Sequence, residues 1–208
     1  MTQTKTLSSS HESEQAMDFA VARKAMVDSQ LRTSGVNEPF VIARMGSHPR
    51  EDHVPAARRS GAYIDRAVPL GGGQFLAAPI FHGSVLAEAQ PKMDDRVLIV
   101  DGGSGYLPAL FAPLVESVET LTPAEAAAKS RKKGDFTLLV IDGAVEEVPE
   151  SLAKRLIDGA RVVTGLAENG VTKLAIGRNS GGTISLLRLS EMGIPQLAEF
   201  DLAESWSF

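Results

Sequence analysis

The residues best suited to hold or transform a small ligand are gathered in Asp101-Gly102-Gly103-Ser104-Gly105-Tyr106. Closely spaced glycines let backbone amides come near a bound group, with an acid and a hydroxyl beside them. A second acid, Asp142, is followed by Gly143. His48 and His53 stand five apart across Pro49 in a charged segment, which is not the spacing of one helix face, so a surface or capping role is expected for both. His82 and Ser84 share a predicted helix, but no acid at matching spacing completes a nucleophile–base–acid set. The run Gly71-Gly72-Gly73 precedes the small residues Ala77 and Ala78, and reads either as a close-approach loop or as a flexible connection. There is no cysteine, which excludes disulfides, thiolate metal sites and cysteine nucleophiles, and no metal site is expected.

The elements that must position these groups alternate between strand and helix. Val97-Leu98-Ile99-Val100 is a continuous apolar run suited to a strand buried on both faces. A helix follows the glycine turn through Leu107, Leu110 and Phe111, and Pro113 should kink or end it by removing the bond back to Ala109. Pro108 stands where a dinucleotide fingerprint has its third glycine, so a nicotinamide site is a poor match. Ser117–Leu121 reads as a second strand. Thr122-Pro123 caps a helix expected to reach about Lys133, with Lys129, Arg131, Lys132 and Lys133 at the negative end of its dipole.

Phe136–Ile141 is a third strand that delivers Asp142 to the ligand side of a parallel sheet, where it is equally placed to cap a turn with Gly143. Residues 123–135 allow one crossover helix and no further strand, so one sheet strand is expected to be missing. A helix from Pro149 to Gly159 and a strand over Arg161–Leu166 come next. Then comes a hairpin whose arms, Thr172–Arg178 and Thr183–Leu189, flank Asn179-Ser180-Gly181-Gly182. Residues 194–200 should cover the sheet, and Trp206 should dock on its own domain. Before the glycine turn, helices are expected over Met17–Leu31 (apolar at Phe19, Ala22, Met26, Val27, Leu31), from an Asn37 cap through Val41, Ile42 and Met45, and from Pro79 through Ala89.

The expected fold is therefore α/β. It has a doubly wound, mostly parallel sheet, a C-terminal antiparallel hairpin and an N-terminal helical layer. Residues 1–15 read as a disordered tail, 16–92 as the helical layer with the glycine-rich loop, and 93–208 as the core. A chain of 208 residues with 43% hydrophobic and 23% charged residues can bury one substantial core. Its net charge of −5 offers no basic face for nucleic acid. A polar start without an apolar segment, and no run long enough to span a membrane, give the expectation of a cytoplasmic protein.

From about Met17 to Phe200 the chain resembles the protein-L-isoaspartate O-methyltransferase family, within the Rossmann-like class I methyltransferases. The matching stretches are Met26-Val27-Asp28-Ser29-Gln30-Leu31-Arg32, Pro49-Arg50-Glu51-Asp52-His53-Val54-Pro55, Ala62-Tyr63 with Asp65-Arg66-Ala67, Leu70-Gly71 with Gly73-Gln74, Gly103-Ser104-Gly105-Tyr106 and Glu147-Val148-Pro149-Glu150. The resemblance implies S-adenosylmethionine as cofactor and the carboxylate of an isoaspartyl residue in a damaged protein or peptide as methyl acceptor. It assigns cofactor contacts to Gly103, Ser104, Gly105 and Tyr106, and Asp101 and Asp142, at the carboxyl ends of their strands, are expected to join them.

Four departures stand against that assignment. Ile99 takes the place of an acid in the central strand, with Asp101 at the first motif glycine. Thr122 aligns with the ribose-binding acid, Ala77 with the hydroxyl residue beside the reacting carboxylate, and the adenine loop falls in the shortened crossover. Losing a charged hydrogen bond of about 1.5–3 kcal/mol weakens binding roughly 10- to 100-fold. With the adenine loop gone as well, a micromolar site becomes roughly millimolar. Asp101 is positioned to substitute for the missing acid from one turn away. The expectation is weakened or lost activity. The alternatives are an inactive homologue acting as a binding or scaffold protein, or another small ligand in the old cofactor cleft. Homodimerisation is expected through the Ser117–Leu121 edge or the Met17–Leu31 helix.

Overall fold

The computed structural model describes residues 18–202. The tail expected over 1–15 and Trp206 lie outside the described residues. Helix α1 covers residues 18–26 and runs on into a π-helical turn, Val27–Leu31, ended by Gly35 in a left-handed conformation. Its Met26, Val27 and Leu31 are buried, while Phe19 and Ala22 are half-buried at its rim. Helix α2 (Pro39–Ser47) starts with proline in its first turn, buries Val41 and Met45 and stops at the extended His48. Its cap residue is Glu38 rather than Asn37, because Pro39 requires an extended residue immediately before it.

The strands β1 (Val68–Gly71) and β2 (Gln74–Leu76) form a short antiparallel hairpin from the glycine-rich loop. Helix α3 (Pro79–Ala89) follows directly. The main sheet has six strands, in the order β4-β3-β5-β6-β7-β8. They are β3 (Arg96–Val100), β4 (Ser117–Leu121), β5 (Phe136–Val145), β6 (Leu156–Glu168), β7 (Val171–Ser180) and β8 (Thr183–Glu191). β4, β3, β5 and β6 run parallel; β7 pairs antiparallel with β6, and β8 antiparallel with β7. Between β4 and β5 lies only the short helix α5 (Pro123–Ala127), so β4 is a sheet edge. The two glycines Gly181 and Gly182, both with positive φ, close the β7–β8 hairpin in the two-residue turn that matches strand twist. One apolar cluster joins α1, α2 and α3 to the sheet strands, so the N-terminal layer and the sheet share a single core.

Three expectations give way to the geometry. Helix α5 ends at Ala127 and does not reach Lys133. Residues 129–133 contain no apolar side chain to bury and carry like charges at helical-neighbour spacing, which opposes a helix there. The basic residues therefore serve no helix dipole; Lys132 instead pairs with Glu119 on β4 at 3.2 Å. The helix α6 covers only Glu150–Ala153, because Leu156 is drawn into the sheet opposite Phe136 and opens β6. β5 continues past Asp142 to Val145, since Ala144 exchanges hydrogen bonds with Pro195 and Leu197 of the segment that covers it. Pro113 behaves as expected: helix α4 (Tyr106–Phe111) gives way to a 3-10 turn over Ala112–Leu114. No helix of the described residues is long and apolar enough to cross a membrane.

Candidate functional site

The glycine turn leaves β3 at its carboxyl end and enters α4, the place where parallel α/β sheets bind ligands. Gly103 (φ +106°) and Gly105 (φ +67°) hold left-handed conformations that bring successive amides to one side. Those amides are already engaged. The Asp101 carboxylate accepts from the Gly103 N–H at 3.1 Å and from the Gly105 N–H at 3.0 Å. The carboxyl is pushed up to about 6 by burial and by the neighbouring Asp142 charge, against the hydrogen bonds from the two glycines.

The β1–β2 hairpin lies over the same turn. The Phe75 N–H donates to the Gly102 carbonyl at 3.0 Å. A Cβ at Gly102 would fall 2.6 Å from the Phe75 ring, and one at Gly103 would fall 2.5 Å from the Gln74 side chain. The glycines are thus required for packing against β2, a use separate from ligand binding. Ser104 turns its hydroxyl back to accept from the Tyr106 N–H at 3.1 Å. Asp101, Gly103, Ser104 and Gly105 all keep partial exposure.

Tyr106 and Asp142 point the other way, into the protein, and both are completely buried. Asp142 Oδ1 lies 2.9 Å from His82 Nε2, and His82 Nδ1 lies 3.0 Å from Arg50 Nη1. A guanidinium can only donate, so His82 Nδ1 is the acceptor and Nε2 carries the proton given to Asp142. Burial, reinforced by Arg50, lowers the imidazole's affinity for a second proton. With both nitrogens engaged, His82 has none left to act as a base, and the acid partner that sequence spacing could not supply is a structural one, sixty residues away.

Arg50 also donates to the carbonyls of Ala62 (2.8 Å) and Ala77 (2.7 Å), and lies 4.7 Å from the centre of the Tyr106 ring. Among the described residues the guanidinium has no hydrogen bond to a carboxylate; Asp142 reaches it through the imidazole. Arg50–His82–Asp142 is an ion pair bridged by a neutral ring. Among the described residues, Tyr106 Oη and Asp142 Oδ2 have no hydrogen-bond partner.

His48 and His53 complete the group around Tyr106; of the surface or capping role expected of them, His48 fills the capping part as the residue that ends α2, while both rings are half-buried rather than on the surface. Their rings lie 5.5 and 5.1 Å from the tyrosine ring, and their Nε2 atoms are 3.0 Å apart. His53 Nδ1 donates to the Ser104 carbonyl at 2.9 Å, tying the Arg50–His53 segment to the glycine turn. Burial, and then the adjacent His53, hold His48 below the ordinary histidine range. The described residues contain no group of three or more His, Cys, Asp or Glu arranged to hold a metal.

At the end of β4, Thr122 closes a capping box: its hydroxyl accepts from the Glu125 N–H, and the Glu125 carboxylate accepts from the Thr122 N–H at 2.8 Å. Ile99 and Ala77 are buried, and the Ala77 carbonyl is bonded to Arg50. The sequence places the glycine turn at the carboxyl end of β3, where it lies, but leaves Arg50 in a charged segment and His82 without a partner. A signal for His82 was present. Helix α3 is apolar nearly all round, and a polar residue on such a helix must be buried and paired.

Comparison with known proteins places this geometry among its relatives. The family model described as protein-L-isoaspartate(D-aspartate) O-methyltransferase (PCMT) matches residues 22–135, more than half of the chain. The protein-L-isoaspartate O-methyltransferase 2 of Anaeromyxobacter sp. (strain Fw109-5) is 31% identical over 178 residues, 74% of this chain and 73% of that one. The protein-L-isoaspartate O-methyltransferase of Roseiflexus castenholzii is 30% identical over 200 residues, 85% of this chain and 91% of that one. Among solved structures, a putative protein-L-isoaspartate O-methyltransferase from Plasmodium falciparum, in complex with S-adenosyl-L-homocysteine, superposes with a TM-score of 0.68. That match covers 85% of this chain and 98% of the other at 20% identity, a likeness of fold.

Proposed function

Because the chain belongs to the protein-L-isoaspartate O-methyltransferase family, we propose that it is a divergent member in which methyl transfer to isoaspartyl carboxylates is slow or lost, because S-adenosylmethionine is held only weakly. The observation that carries this reading is the state of the polar groups at the carboxyl edge of the sheet: Thr122, Asp101 and one oxygen of Asp142 already have internal partners. Thr122, at the position expected for the ribose acid, is closed with Glu125. The Asp101 carboxylate is bonded to its own turn, and Asp142 is completely buried with one oxygen bonded to His82, so neither presents an acid at the surface to a nucleoside. Gly102 and Gly103 lie against Phe75 and Gln74. These residues do not fit the cofactor, and no reaction step is derived through it. The methyl-acceptor side is equally bare, since Ala77 supplies no hydroxyl.

Calorimetric titration of the whole protein with S-adenosylmethionine, alongside methylation of an isoaspartyl peptide, tests the reading. Affinity in the millimolar range, with methylation near background, is expected; micromolar binding would overturn it.

A second reading, a non-catalytic binding protein, draws on the free edge of the sheet. β8 is nine residues long and exposes Leu187 (63%) and Leu189 (40%). The opposite edge, β4, has five residues, and its Glu119 is paired with Lys132 and Arg155. Helix α1 turns its apolar face into the core. Self-association thus falls to β8 rather than to β4 or α1. Light scattering at tens of micromolar should detect a dimer that Leu187→Lys dissolves, and a monomeric wild-type protein removes this reading.

A further inference from the structure

We infer that Asp101 is a built-in occupant of the glycine turn: its carboxylate fills the amide nest of Gly103 and Gly105 and excludes any ligand that would use those two N–H groups. The inference rests on the proposed weak cofactor binding and names the residue that causes it.

Four contacts carry it. The carboxylate meets the Gly103 amide at 3.1 Å and the Gly105 amide at 3.0 Å, so both donors are satisfied by an anion from the same turn. The turn is also fixed from both sides. Phe75 holds the Gly102 carbonyl on one side, and His53 holds the Ser104 carbonyl at 2.9 Å on the other. With the loop pinned, a ligand cannot gain the amides by moving the backbone and must displace the carboxylate. The displaced group would stay partly buried, without donors and near the Asp142 carboxylate, which has an unpartnered oxygen of its own. The exclusion is therefore local to one side chain. Replacing Asp101 by glycine removes the occupant and restores the residue that the family resemblance expects there.

Asp101→Gly and Asp101→Asn, made in the full chain, are titrated with S-adenosylmethionine and with S-adenosylhomocysteine by calorimetry. Asp101→Gly should bind roughly 10- to 100-fold more tightly than the wild type, the value of a charge-assisted hydrogen bond. Asn retains an acceptor for the two amides, so Asp101→Asn should gain less. Equal affinity in Asp101→Gly and wild type overturns the inference. If both bind at micromolar concentration, the proposed weak binding falls as well; if neither gives heat in the millimolar range, only the role of Asp101 is lost. A second measurement needs no glycine variant. The Gly103 and Gly105 amide resonances of the wild type should shift together as Asp101 ionises and should stay still in Asp101→Asn. Amides that do not respond in the wild type also overturn the inference.

Discussion

Removing the charge of Asp142 should cost this protein more than any change at the glycine turn, because it strands a cation in the core. Arg50 is completely buried, and among the described residues its guanidinium reaches a carboxylate by hydrogen bonds through His82 to Asp142. The two bonds of 3.0 and 2.9 Å and the width of the ring put the charges roughly 8 Å apart, where an effective dielectric of about 20 gives an attraction of about 2 kcal/mol. Asp142→Asn keeps the hydrogen bond from His82 but leaves the guanidinium uncompensated, and the expected loss is about 3–5 kcal/mol. Arg50→Met leaves the converse problem, a buried carboxylate with one free oxygen, and should cost a similar amount. The double variant should lose about 2 kcal/mol less than the sum of the two, since each single change removes the same attraction. Urea denaturation of the four proteins, with the slope checked for constancy, measures the cycle. A coupling below about 0.5 kcal/mol would mean that the imidazole does not transmit the pairing, and the bridged ion pair would have to be abandoned.

Two further predictions concern pH and the turn. Asp101 has its folded-state carboxyl raised to about 6 against an ordinary 3.8, so its ionisation costs stability, by up to about 3 kcal/mol, as pH rises between about 4 and 6. His48 and His82 are lowered, so their contribution is complete above about pH 6.5 and is lost as pH falls below it. The two effects oppose each other in the acid range. Asp101→Asn should therefore be more stable than wild type at pH 7.5 and lose stability more steeply on acidification; parallel pH–stability curves for the two proteins would contradict this. His53→Ala should free the Ser104 carbonyl at a cost of about 1 kcal/mol and speed amide hydrogen exchange selectively over residues 102–105, with exchange in β7 and β8 unchanged.

How far the sequence alone reaches can be judged element by element. Strands whose burial is uniform are legible: Val97–Val100 is apolar throughout because side chains on both faces of this central strand are buried in the core, and Gly181-Gly182 gives the hairpin turn locally. The errors fall where a distant segment decides. Leu156 and Ile157 fit a helix until Phe136, twenty residues earlier, offers a pairing edge. Asp142 sits at the expected end of the sheet, but its direction is set by His82 on another element. Arg50 reads as solvated because its neighbours Glu51 and Asp52 are charged, and its partners lie at Ala62, Ala77 and His82. A charged residue is placed by contacts of this range, which periodicity does not encode.

The same contacts bear on how the fold would outlast the weakened ligand site proposed here. None of the groups that hold the sheet end together belongs to a ligand: Arg50, His82 and Asp142 pair among themselves, and Asp101 satisfies its own turn. Ile99 extends this logic into β3. It is completely buried, and an acid at its position would have to be hydrogen-bonded or charge-paired to be tolerated there. An apolar residue removes that requirement and adds roughly 1.5–3 kcal/mol of burial. On the proposed reading, the residue that weakens a nucleoside site thus stabilises the sheet, and reduced cofactor affinity would carry no loss of fold.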